Sequence, residues 1–166
     1  MTPELFVSTY LPEAIKVEKE TGFHHLITLA QGALESGWGQ KAIGNNFFGI
    51  KWSPGNKQDK QLITTTEYLS KPDVKFPSVI KVEKVGRIYK YIVKDWFRKY
   101  NTPAEGFADH INFFLTNPRY AKAIAVKDKP EEFFEEIAKA GYATADNYAE
   151  QLKAMMHSVI KRIPKV

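Results

Sequence analysis

The sequence predicts an α+β domain, mainly helical, with one small β-lobe. Apolar residues recur at helical spacing through both ends of the 166-residue chain. Short β-branched and aromatic runs, separated by turn residues, are confined to the middle. Strands grouped together in this way indicate α+β rather than a sheet alternating with helices. No internal repeat, low-complexity tract or Gly/Ser linker divides the chain, so a single domain over residues 1–166 is expected.

The elements follow in order. Thr2 and Pro3 start the first helix, because proline at the first helical position lacks an N–H that would be unpaired anyway. Leu5, Phe6, Tyr10, Ala14, Ile15 and Val17 form its apolar stripe, and Thr21-Gly22 breaks it. A second helix spans about Phe23 to Ser36, with Leu26, Leu29, Ala30, Ala33 and Leu34 at helical spacing, and Gly37 and Gly39 end it. Gly49–Trp52, Gln61–Leu69 and Arg87–Val93 read as strands, with turn chemistry at Pro54-Gly55-Asn56 and Lys84-Val85-Gly86. They predict a hairpin or three-stranded sheet with its lobe at about 61–93. Helices return at Thr102-Pro103-Ala104-Glu105, a capping box. That helix carries Phe107, Ile111, Phe114 and Leu115 and stops near Asn117-Pro118. A short segment holds Tyr120 and Ile124. A helix from Pro130 to Gly141 buries Phe133, Phe134, Ile137 and Ala138. The last helix, about Asp146 to Ile163, carries Tyr148, Leu152, Met155, Val159 and Ile160, and Pro164 stops it.

Composition narrows the function classes. There is no cysteine, which excludes disulfides and thiolate metal sites. The histidines His24, His25, His110 and His157 include no i, i+4 pair of the kind a zinc helix carries. The net charge is +5, with the densest basic run at Lys81 to Lys99. That favours an anionic partner, whether nucleic acid, membrane or acidic cell wall, or else a solvated basic surface. No nucleic-acid motif accompanies the charge, so nucleic acid is not expected. No run nears the roughly 20 apolar residues of a membrane span, so membrane insertion is not expected. Met1 to Tyr10 lacks a basic start and a continuous apolar run, so no signal peptide is expected in this chain.

Chemistry concentrates in Ala30-Gln31-Gly32-Ala33-Leu34-Glu35-Ser36-Gly37-Trp38-Gly39. Glu35 sits where an apolar-faced helix runs into a glycine-rich turn, with Gln31 on the same face. A carboxyl held against apolar groups has its charged form disfavoured and can stay protonated, as a general acid for a glycosidic oxygen requires. A glutamate in a last helical turn also opposes the helix dipole. Taken alone, that position equally suits a solvated surface residue.

Ala30 to Trp38, followed by Asn45-Asn46-Phe47-Phe48-Gly49-Ile50-Lys51, resembles the glucosaminidase family of glycoside hydrolases, which includes flagellar muramidases and many autolysins. Phe97-Arg98-Lys99-Tyr100, Asp109-His110, Phe114-Leu115, Arg119-Tyr120 and Ala140-Gly141-Tyr142-Ala143-Thr144 through Tyr148-Ala149 follow in the family's order. The resemblance covers nearly the whole chain. It implies a lysozyme-like fold, with a β-lobe over a substrate groove, that cleaves the β-1,4 bond between N-acetylglucosamine and N-acetylmuramic acid in peptidoglycan glycan strands.

By the same resemblance Glu35 matches the general acid, Tyr142 a tyrosine important for activity, and Glu67 the second acid on the β-lobe. The stretch from Glu67 to Phe97 is longer than the family norm, and Glu83 within it is a rival for that second role. Phe48 and Trp52 are candidates to stack on sugars, and Asn46 and Lys51 to bond acetamido or carboxylate groups. Tyr120 and Tyr148 are candidates for the groove or the core, and one of Phe47 and Phe48 is expected in the core. Asp95 and Asp109 read as structural or surface acids, and Asp109-His110 as a packing pair. Two routes stay open, neither needing a metal or organic cofactor: inversion, with Glu67 activating water, and retention, with the substrate's 2-acetamido group attacking while Tyr142 orients it. A muramidase or lytic transglycosylase, or a non-catalytic glycan-binding homologue, are the alternatives. The expected setting is the cell wall, by an unknown export route, and the expected state is a monomer.

Overall fold

The computed structural model describes residues 1–165. Helix α1 (Pro3–Thr21) starts where Thr2 accepts the Leu5 N–H, and it ends at Gly22, which adopts a left-handed φ of 79°. Helix α2 (His25–Ser36) starts two residues later than the sequence predicts, because His24 is its cap and accepts the Leu26 N–H through its ring. Gly37, at φ 59°, ends it with an N–H returned to the Ala33 carbonyl. Strands β1 (Asp59–Leu69), β2 (Ser78–Val85) and β3 (Ile88–Lys99) form an antiparallel sheet in the order β1-β3-β2. Helix α3 (Pro103–Thr116), a short turn at Pro118–Tyr120, and helices α4 (Ala121–Ile124), α5 (Pro130–Lys139) and α6 (Tyr148–Ile160) complete the fold.

Helix α2 is the centre of the molecule. Ile27, Thr28, Leu29, Ala30, Gln31, Gly32, Ala33 and Ser36 are all buried, between α1 on one side and α6 on the other. Phe6, Phe47, Phe107, Phe114 and Phe133 join the helices in one aromatic core, with Phe47 the buried member of its pair. Leu115 and Ile160, expected on apolar faces, are exposed. They lie beside the stripes rather than on them, since α3 buries Phe107, His110, Ile111 and Phe114, and α6 buries Leu152, Met156 and Val159.

The β-lobe is longer than predicted, at 59–99. Strand β2 escaped prediction because nearly all of its residues are exposed, which erases the apolar/polar alternation. Gly49–Trp52 is not a strand and makes only an isolated bridge between Lys51 and Phe97.

Two junctions fix the lobe to the helices. Asp109 of α3 accepts hydrogen bonds from Arg98 at 2.8 Å, from Gln58 at 3.2 Å and from Tyr100. At the other junction a Cβ on Gly106 would collide with the Asn45 carbonyl oxygen, so α3 passes this loop only as glycine. Gly106→Ala is expected to destabilise the fold by about 1–3 kcal/mol, as overpacking does, and urea unfolding of the variant checks this.

Candidate active site

Glu35 stands at the last turn of α2 with its side chain exposed. From sequence both an apolar setting and a solvated one are open for this carboxyl, and the apolar setting is not the one observed. Instead it projects from the helix end, because Gly37 turns the chain away and leaves the cleft open. Tyr148 donates its hydroxyl to Glu35 Oε1 at 2.9 Å, and Gln31 Nε2 approaches the Tyr148 oxygen at 3.4 Å. A file of three side chains thus leads from the buried face of α2 to the carboxyl.

Glu35 lies on the shared wall of two cavities of about 400 Å³ each. One runs toward the β-lobe and is lined by Lys41, Asn46, Phe47, Ile63, Thr65 and Phe97 among others. The second is lined by Phe48, Ile50, His110, Phe113, Tyr142 and Ala143. A separate cavity of about 470 Å³ lies around Tyr100 and Asp109, where those polar groups are consumed by the lobe junction.

Tyr142 is ordered on both sides of its ring. Its hydroxyl is 2.8 Å from His110 Nε2, and its ring stacks on Tyr148 with centroids 5.5 Å apart. Burial, then the charge of Glu35, raises its pKa, so the phenol stays protonated. Phe48 stacks on His110 at 3.6 Å, which makes His110 the shared support of two cavity side chains. Burial pushes the His110 imidazole down to about 3. In the unfolded chain the ring titrates near about 6.5, so the unfolded state takes up a proton that the folded state refuses. The contribution of His110 to stability is complete above about pH 6.5 and is lost as pH falls toward the folded value. Over that window the group is expected to lower stability by up to ~1.4 kcal/mol per pH unit. Denaturant unfolding at neutral and acid pH checks this, with a shallower loss expected for His110→Gln.

The other sequence-predicted residues divide. Glu67 lies on β1, on the half-buried face shared by Ile63 and Thr65. Its Oε1 is 2.9 Å from Lys51 Nζ, which also reaches Asp95 at 3.2 Å. Burial alone would lower the pKa of Lys51, but its hydrogen bonds to Glu67 and Asp95 outweigh this and raise it. Lys51, half exposed, thus bridges the two carboxylates, and Asp95, read as structural from sequence, shares Glu67's counter-ion. Glu83 pairs with Lys90 of β3, as Tyr68 does, whereas Glu67 pairs with Tyr91. Directly opposed residues share a face, so Glu83 points away from Glu67, and there it pairs with Lys81 at 2.9 Å. Glu83 therefore does not join the group of Glu67, Lys51 and Asp95.

The remaining candidates for sugar contact have other partners. Asn46 is buried and spends its amide on the Ile50 N–H and on the Ile50 and Arg98 carbonyls, so it shapes a cavity wall. Trp52 lines neither Glu35 cavity; its indole donates to the Gln58 carbonyl and lies under Lys60, which also covers Trp96. Tyr120 is fully buried in the core against Phe114. Tyr148, also buried, meets Glu35 rather than the open groove. Sequence reasoning missed Phe113, an aromatic exposed in the cleft. Its signal was its place off the Phe107–Ile111–Phe114 stripe.

Comparison with known proteins places the chain in a family and shows which fold it shares. Residues 11–161 match the glucosaminidase family model, described as mannosyl-glycoprotein endo-beta-N-acetylglucosaminidase. The peptidoglycan hydrolase FlgJ of Vibrio parahaemolyticus is 33% identical over 157 residues, which is 91% of this chain and 46% of the relative. FlgJ of Salmonella typhimurium is 36% identical over 163 residues, 94% of this chain and 46% of that protein. The chain therefore spans about half the length of these relatives. The solved glycoside hydrolase domain of Salmonella typhimurium FlgJ superposes with a TM-score of 0.73 at 28% identity, covering 97% of this chain and 90% of that one. The lysozyme-like helical fold with a small sheet is shared.

Proposed function

The chain belongs to the glucosaminidase family, and from that premise we propose that it is an endo-β-N-acetylglucosaminidase of peptidoglycan with Glu35 as general acid. The scissile bond is the β-1,4 link between N-acetylglucosamine and N-acetylmuramic acid. The observation that carries this reading is the place of Glu35 between two cavities, one under the β-lobe and one under Tyr142. A linear glycan filling both sets an internal bond against the carboxyl, and filling them covers Glu35 from water. The Glu35 proton then passes to the leaving glycosidic oxygen as the bond to the anomeric carbon breaks.

Tyr142 lines a cavity with Glu35, whereas Glu67 lines neither and is tied to Lys51. This favours the substrate-assisted route. The 2-acetamido oxygen attacks the anomeric carbon, Tyr142 orients that group, and Glu35 then takes the proton of the water that opens the cyclic intermediate. The inner-face position of Glu67 keeps inversion as the second reading. Proton NMR of fresh product separates them: retention is expected, and inversion excludes the acetamido route. Tyr142→Phe is expected to cost about 10–100-fold in kcat, the worth of a hydrogen bond of about 1.5–3 kcal/mol to a charged group. Glu67→Gln is expected to stay within about tenfold of wild type, since a base acting in chemistry contributes about a hundredfold or more.

Glu35, Tyr142, Glu67 and both cavities come from one copy, so the enzyme is read as a monomer. Its work lies at the cell wall, outside the cytoplasmic membrane. Among the described residues no helix is long and apolar enough to cross a membrane.

A further inference from the structure

The end of α2 opposite Glu35 holds a second cluster of chemical groups. Glu18 is on the last turns of α1, and Gly22 reverses the chain so that His24 and His25 open α2 beside it. The two imidazoles stack with centroids 4.4 Å apart and planes 24° apart. His25 Nδ1 is 3.0 Å from Glu18 Oε1, and His24 Nδ1 is 4.0 Å from the same oxygen. One ligand atom from each residue lies within 4.8 Å of the others, and all three residues are half-buried.

We propose that Glu18, His24 and His25 form a binding site for a borderline divalent transition ion, with zinc the representative. Two imidazole nitrogens and a carboxylate oxygen suit zinc and its late first-row neighbours, whereas magnesium and calcium want oxygen ligands throughout. The three donors lie within 4.8 Å of one another, so rotation of the stacked rings about their side-chain bonds is what brings them onto a tetrahedral ion, whose bonds to nitrogen and oxygen are about 2.0–2.2 Å, and water completes the shell. Lys127, the nearby cation, is turned onto the Thr21 carbonyl at 3.0 Å. At His25 the ion binds the tautomer whose ring proton sits on Nε2, so that Nδ1 ligates in place of its contact with Glu18, and at His24 it displaces the Leu26 N–H from Nδ1. The site would staple the end of α1 to the start of the helix that carries Glu35, about 15 Å away at 1.5 Å per residue. It is therefore separate from the hydrolytic chemistry.

The test is calorimetric titration of zinc into the tag-free, metal-stripped chain at neutral pH, paired with thermal unfolding. Binding of one equivalent and a raised Tm are expected for wild type, with both lost in His25→Ala and in His24→Asn. Asparagine is a good helix cap, so His24→Asn removes a ligand without removing the cap, and circular dichroism verifies the fold of each variant. Hydrolysis by metal-free wild type and His24→Asn is expected to be equal. No zinc uptake by wild type, or uptake that survives in either folded variant, overturns the proposal.

Discussion

Glu35→Gln is expected to lower the hydrolysis of purified peptidoglycan by at least about 10²–10⁴-fold, the range that a positioned general acid contributes, while the fold survives. Glutamine keeps the shape of the side chain and can still accept the Tyr148 hydroxyl now held at 2.9 Å, but it has no proton of comparable acidity for the leaving oxygen. Glu35 is exposed and makes no ion pair among the described residues, so the unfolding free energy should move by less than ~0.5 kcal/mol. Loss of turbidity clearing with an unchanged urea midpoint is the expected pair of results. Wall binding should persist, because the cavity walls on both sides are untouched. A variant that clears cell walls like the wild type would move the acid elsewhere.

Asp109→Ala is expected to have the largest effect on stability. Its carboxylate, 9% exposed, ion-pairs with Arg98 at 2.8 Å and also accepts from Tyr100 and Gln58. Burial, then the bond to Asp109, raises the pKa of Tyr100, so the phenol acts as donor throughout the ordinary pH range. Removing the carboxylate leaves the Arg98 guanidinium, 22% exposed, without its counter-charge and Tyr100 without its acceptor. Breaking one side of a buried pair costs about 3–5 kcal/mol. The partial exposure of Arg98 places the expected loss at the lower end. Because Arg98 lies at the end of β3 and Tyr100 directly follows that strand, the same change should loosen the β-lobe over the cleft, read as faster amide exchange along β1 and β3. Activity should fall less than for Glu35→Gln, since no group at the reacting bond is lost.

The sequence made the helical frame readable wherever local chemistry agreed with packing. Thr2-Pro3 and Thr102-Pro103 open α1 and α3, and Gly22 and Gly37 close α1 and α2. Glu35 was visible because a glycine turn follows it, and the ordered motifs of the family gave it a role. What escaped notice depends on partners far away in the chain. Strand β2 shows no alternation because it is an exposed edge, and its identity comes only from pairing with β3. Asn46, Tyr120 and Trp52 look like sugar contacts in a motif, but their polar atoms or rings are spent on Arg98, Phe114 and Lys60. Lys51 reads as a free cation until Glu67 and Asp95 are placed on one face of the sheet. Tyr148 reaches Glu35 across 113 residues of sequence, which no local pattern encodes.

The bond that is cut carries the central claim, and the chemistry of the new chain ends reports it. Purified peptidoglycan should be digested with wild type and with Glu35→Gln, reduced with borohydride and analysed by mass spectrometry. The account predicts reduced N-acetylglucosamine ends in the wild-type digest and none above background with the variant. Reduced N-acetylmuramic acid ends, or anhydromuramic ends, from the wild-type protein would contradict it.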